Sequence, residues 1–203
     1  MPKKALIVVD VQRDFLPGGA LPVKEGNEII EPVNALVEWF HRERLPVFFT
    51  RDWHPNDHIS FRSQGGIWPP HCVKDTPGAR FPSSLHVPKG AVTVSKATRK
   101  DVEAYSGFQG TSLASRLRKE GVKELYVVGL ATDYCVKNTV IDGIGYGFQV
   151  TLVTDCVRGV NLRRTDSANA FRTMTAKGAR KTTSRRLAQA LSSVERVAVS
   201  SSS

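Results

Sequence analysis

The stretch "ELYVVGLATDYCVKNT", Glu124–Thr139, joins a strand-length apolar run to a polar, helix-compatible one, with Cys135 at the junction. The first part, "ELYVVGL" (124–130), is continuously apolar where a half-buried strand would alternate. That is the pattern of a strand buried on both faces of a parallel sheet. Similar strand-length runs occur at "ALIVVDV" (5–11), "PVFFTRD" (46–52), "AVTVSK" (91–96) and "QVTLVTD" (149–155). Helical patterns separate them. "NEIIEPVNALVEWFHRE" (27–43) sets Ile29, Ile30, Val33, Leu36, Val37 and Phe40 on one face. "TSLASRLRKEG" opens with hydroxyl caps and ends on Gly121. "VKNTVIDGIGYG" follows Cys135, and "TDSANAFRTMTAKG" (165–178) follows the fifth run. Strand and helix in alternation predict a three-layer α/β domain, Rossmann-like, with a mostly parallel sheet flanked by helices.

At 203 residues the chain is long enough for one substantial core. One domain is expected over 1–195, with 196–203 a frayed tail. The three cysteines, Cys72, Cys135 and Cys156, are scattered and odd in number, which argues against a disulfide framework and for a reducing compartment. The N-terminal apolar run is too short for a signal peptide, and no run approaches a membrane span, so a soluble cytoplasmic protein is expected. The net charge of +10 is the outlier. Ten Lys or Arg residues from Val157 onward face only Asp166 and Glu195. No zinc-finger or RNA-recognition spacing accompanies them, so they read as a solvated basic face and not as a nucleic-acid footprint.

In an open parallel sheet, sites form at the carboxyl ends of the strands. Asp10 closes the first run, Asp52 the second and Lys96 the third, while Cys135 follows the fourth. An Asp there is commonly a turn residue, a Lys solvated and a Cys mere packing. Together they form a chemical unit. A helix start and an ammonium stabilise a thiolate, and a carboxylate can take the thiol proton. This casts Cys135 as nucleophile, Asp10 as base and Lys96 as electrostatic partner, with the N–H of Cys135 and one from "GLAT" as oxyanion donors.

The segment "DWHPNDHISFRSQGGIWPPHCVKDTPGARFPS" (52–83) fits neither period, and structureless loops of that length are usually functional. It holds Asp52, His54, His58 and His71. On an extended chain Asp52 and His54 project to the same side. Two imidazoles and a carboxylate suit Zn²⁺, Fe²⁺ or Mn²⁺ with open positions left over. The alternative is a polar loop whose histidines cap turns.

Five motifs, "LIVVDVQRDFLPGGAL", "TRDWHPNDHISF", "WPPHCVKDTPGA", "AYSGFQGTSL" and "GLATDYCV", occur in order between Ala5 and about Asp155. Together they resemble the nicotinamidases of the isochorismatase-like cysteine hydrolases. "DWHP" with "WPPHC" is the discriminating pair. The resemblance implies an isochorismatase-like fold and a triad of Asp10, Lys96 and Cys135. It also implies metal ligands Asp52, His54 and His71, with one divalent ion per chain, zinc first and Fe²⁺ or Mn²⁺ as alternatives. His58 matches a position that varies between direct ligand and support. The resemblance further implies oxyanion amides from Ala131 and Cys135, a cis peptide between Leu130 and Ala131, and a pocket walled by Phe15, Trp68 and Tyr105. The implied reaction is hydrolysis of nicotinamide to nicotinate and ammonia through a thioester, in NAD salvage, with pyrazinamide also accepted. The implied pose has the pyridine nitrogen on the metal and the ring between Phe15 and Trp68. A homo-oligomer is in keeping with the relatives. Competing readings are a triad hydrolase acting on another small amide, and a basic binding protein on the same fold. The region after Arg158 carries no motif of the family.

Overall fold

The structure, a computed structural model, describes residues 2–190. Five of its six strands are those expected: β1 (Lys3–Val9), β2 (Val47–Asp52), β3 (Val92–Lys96), β4 (Val122–Leu130) and β5 (Gln149–Arg158). The sixth, β6 (Arg180–Thr182), has only three residues, all polar, and carries no apolar signal to read. The four expected helices form as α1 (Ile30–Arg42), α2 (Leu113–Lys119), α3 (Lys137–Gly145) and α4 (Asp166–Ala176), and residues 184–190 are again helical. The expected end of the domain at 195 and the tail at 196–203 lie outside the described residues.

The sheet order is β3-β2-β1-β4-β5-β6, and every pairing is parallel. Alternation along β1 assigns its side chains to two cores. Leu6 and Val8 face one with α1, while Ala5, Ile7 and Val9 face the other with α2, α3 and α4. Both faces of the central strands are therefore covered, which is why these runs show no polar alternation.

The chain builds outward from β1 to β3 and then returns to place β4 on β1's other side. The crevice at this reversal, outside the carboxyl ends of β1 and β4, is where such sheets hold ligands. The two strands meet unusually closely there. Gly129 has φ +113°, and a Cβ on it would lie 2.1 Å from the carbonyl oxygen of Val9. Only glycine fits this step.

Of the basic residues after Val157, Arg158 is half-buried and paired with Glu28 at 2.9 Å and Glu25 at 3.7 Å. The other described ones are exposed, as a solvated face requires. No helix among the described residues is long and apolar enough to cross a membrane.

Candidate active site

The strand ends bring the expected groups together around one buried ammonium. Lys96 Nζ lies 2.9 Å from Asp10 Oδ2 and 2.5 Å from Asp52 Oδ1. It also donates to the Ala104 carbonyl at 3.0 Å and reaches Cys135 Sγ at 3.4 Å. Lys96 and its three side-chain partners are all buried. The register accounts for this, because Asp52 pairs directly with Lys96 across β2 and β3. Asp10 follows β1 with φ +48°, a left-handed turn that Asp tolerates better than most residues. The Thr50 hydroxyl donates to Asp10 Oδ1 at 2.6 Å. Oδ2 accepts no further hydrogen bond among the described residues, and one oxygen of this carboxylate lies within 4.8 Å of the Cys135 thiol.

Burial governs the protonation states. It lifts Asp10 to about 6 against the pull of Lys96, and the charge of Asp52 adds to the rise. It also pushes the Cys135 thiol well above its ordinary value, with Lys96 acting the other way. Lys96 loses to burial but gains more from Asp10 and Asp52, so it stays charged. The resting nucleophile is thus a thiol beside an ionisable carboxylate. The expected stabilisation of a standing thiolate is outweighed by desolvation.

Cys135 also departs from the expected helix start. It lies in a π turn, Thr132–Val136, and α3 begins only at Lys137. The turn is wide because the Ala131 carbonyl accepts from both Tyr134 and Val136 at 3.1 Å. The Leu130–Ala131 peptide is cis, as the resemblance implied.

The loop after β2 delivers the second constellation. One ligand atom from each of Asp52, His54 and His71 lies within 4.8 Å of the others, and all three residues are buried. His54 Nδ1–H donates to the His71 carbonyl at 2.9 Å, and His71 Nδ1–H to the Pro69 carbonyl at 2.8 Å. Each Nε2 is thereby the ring nitrogen left over for an ion, the arrangement typical of metal-ligating histidines. Burial, with His71 nearby, lowers His54 to about 4 despite Asp52, so it is neutral near pH 7. Asp52 is held low, because Lys96, His54 and His71 overcome its burial. One carboxylate and two imidazoles fit a divalent cation in charge and donor type.

His58 is spent elsewhere. The Ser60 N–H reaches its Nδ1 at 3.2 Å, which makes that nitrogen an acceptor, and Nε2–H then donates to the Val102 carbonyl at 3.2 Å. Both of its ring nitrogens are thus engaged in this structure, and with His54 and Glu103 it also lies within ligand spacing.

Of the aromatic residues, Phe15 lies 5.5 Å from the His71 ring. Trp68 Nε1 donates to the Tyr105 hydroxyl at 3.1 Å. Tyr134 completes this group, 5.0 Å from Trp68 and 5.5 Å from Tyr105 between ring centroids. The sequence reading missed Tyr134, although it directly precedes Cys135. It also missed Thr50 and Gln12, polar residues within or just beyond apolar strands.

The isochorismatase domain matches residues 4–186. A nicotinamidase of Escherichia coli (strain K12) is 42% identical over 200 residues, spanning 88% of this chain and 94% of that protein. The crystal structure of a pyrazinamidase of Pyrococcus horikoshii in complex with zinc superposes with a TM-score of 0.86. It shares 50% identity and covers 90% of this chain and 99% of its own. PnC1 from L. infantum, in complex with nicotinate, gives a TM-score of 0.84 at 32% identity, covering 91% and 94%. Matched along nearly all of its described length, in sequence and in fold, the chain belongs to the isochorismatase family.

Proposed function

We propose that the protein is a metal-dependent cysteine amidohydrolase that converts nicotinamide to nicotinate and ammonia and also accepts pyrazinamide. The observation that carries this is the single Lys96 ammonium touching Asp10, Asp52 and Cys135 at once, which joins a thiol–carboxylate pair to a metal-type ligand set.

Asp52, His54 and His71 would hold the ion. When bound, it supplies a Lewis-acid coordination point for a pyridine or pyrazine nitrogen. Phe15, Trp68 and Tyr105 wall the ring. Asp10 takes the proton from Cys135, and the sulfur bonds to the carboxamide carbon as the carbonyl π electrons move to oxygen. The backbone amides of Ala131 and Cys135 stabilise that oxyanion. The C–N bond then breaks, Asp10 returns the proton to the departing ammonia, and a thioester remains. Water attacks the thioester with Asp10 again as base, the C–S bond breaks, and nicotinate leaves as the thiol is restored.

The test is ammonia release from nicotinamide with and without a chelator. Release that the chelator abolishes and added divalent metal restores is the expected result. No release from nicotinamide by the metal-loaded protein would overturn the proposal.

The metal site has its own check. Elemental analysis is expected to find about one ion per chain, as for a mononuclear three-ligand site. His71→Ala is expected to lose metal and nicotinamide affinity together. Stoichiometric metal in a His54→Ala/His71→Ala double variant would remove this ligand assignment.

A further inference from the structure

The polar residues of "VDVQRDF" just beyond β1 do more than continue the chain. β1 pairs with β2 as far as Val8 opposite Phe49, and the Asp10 N–H still reaches the Thr50 carbonyl at 3.2 Å. The left-handed turn at Asp10 then takes the backbone away. Asp52, two residues further along β2, is left with its N–H and C=O facing a strand that has departed. The side chain of Gln12 fills that place. Its Oε1 accepts the Asp52 N–H at 2.7 Å, and its Nε2 donates to the Asp52 carbonyl at 2.8 Å and to the Ala79 carbonyl at 2.9 Å. The amide orientation is fixed, since an N–H can only donate and carbonyls can only accept. Gln12 is fully buried, and all three of these bonds go to backbone. In effect a side-chain amide continues the sheet ladder past the end of its strand.

One turn on, Asp14 secures the other end of the same loop. Its Oδ2 accepts the Cys72 N–H at 2.7 Å, next to His71, and its own N–H donates to the Gly78 carbonyl at 3.0 Å. A Cβ on Gly78 would lie 2.2 Å from the Asp14 carboxylate, so the loop is folded tightly onto it. The three candidate ligands come from two chain segments, Asp52–His54 and His71. Gln12 fixes the first by the backbone of Asp52, and Asp14 fixes the second by the backbone of Cys72.

We infer that Gln12 and Asp14 are positioning residues that preform the metal site, holding the Asp52 and His71 ends of the loop at ligand spacing before any ion enters. The inference rests on the metal dependence proposed above.

The test uses zinc alone as the probe, titrated by calorimetry into full-length protein stripped of metal. Gln12→Met keeps side-chain length while removing all three hydrogen bonds. Asp14→Ala removes the second anchor, and Asp14→Asn restores an acceptor for the Cys72 N–H without the charge. Gln12→Met and Asp14→Ala are expected to bind zinc about ten- to a hundredfold more weakly, the usual scale for groups that orient metal ligands, with Asp14→Asn close to the parent. A parent that binds zinc while Gln12→Met and Asp14→Ala bind it equally well would overturn the inference and leave the proposed function standing. A parent that binds no zinc would overturn the metal dependence itself, and the inference with it. Should Gln12→Met not fold, hydrogen exchange on the metal-free parent decides in its place. The Asp52 amide is expected to exchange slowly without metal, and exchange as fast as in an exposed loop would overturn a preformed clamp.

Discussion

Cys135→Ala is expected to lose about five to six decades of kcat on nicotinamide, the scale found when a covalent nucleophile is removed from a site whose members act as a unit. The reason is specific to this pocket. Cys135 sits 3.4 Å from the Lys96 ammonium and within 4.8 Å of the Asp10 carboxylate, and no other described thiol or hydroxyl shares both partners. Cys135→Ser is expected to fare nearly as badly. Burial already pushes the thiol well above its ordinary value. A hydroxyl, far less acidic, cannot give its proton to a carboxylate that titrates near 6. Alkylation by iodoacetamide checks the assignment without a variant. All three thiols are raised by burial. Cys72 and Cys156 are fully buried with no neighbouring ammonium in hydrogen-bond contact, whereas Cys135 keeps slight exposure and its Lys96 contact. Cys135 should therefore be labelled first. Turnover retained in Cys135→Ala would remove the thioester route.

How much of this was legible in the sequence depends on whether a feature belongs to one strand or to the register between two. Continuous apolar runs announce buried parallel strands, so five of the six could be read, whereas the three polar residues of β6 have no apolar face to announce. The strand-end groups could be read because parallel strands present their carboxyl ends on one edge. Thr50 could not, because its hydroxyl meets Asp10 only through the pairing of β1 with β2. Gln12 escaped for the same reason. Its task is created by a turn at Asp10 that leaves the backbone of Asp52 unpaired. The protonation state of Cys135 is set at a different level. Residue types show which charges gather, but the desolvation that outweighs them follows from packing, and Cys135 is buried.

Lys96→Met is expected to cost at least about two decades of kcat/KM, the usual scale for removing an electrostatic or acid–base group. Methionine keeps the length and burial of the side chain but leaves Asp10 and Asp52 in a shared buried site without their common cation. Leaving one partner of a buried ion pair unmatched commonly costs about 3–5 kcal/mol of stability, so thermal unfolding has to be followed beside the rate. The pH profile separates a catalytic loss from a structural one. Burial raises Asp10 to about 6 in the parent while Lys96 pulls it down. The base works only when ionised, so parent kcat/KM is expected to fall as pH drops through about 6. In Lys96→Met that downward pull is gone, the carboxyl rises further, and the acidic limb moves to higher pH. Because the carboxylate, the ammonium and the thiol exchange protons within one cluster, these limbs are macroscopic values of the unit. Lys96→Arg should also be impaired. Four partners converge on one Nζ at 2.5, 2.9, 3.0 and 3.4 Å, and a planar guanidinium cannot present a single point to all of them. A Lys96→Met profile that matched the parent in both height and acidic limb would reduce the triad to an Asp10–Cys135 dyad.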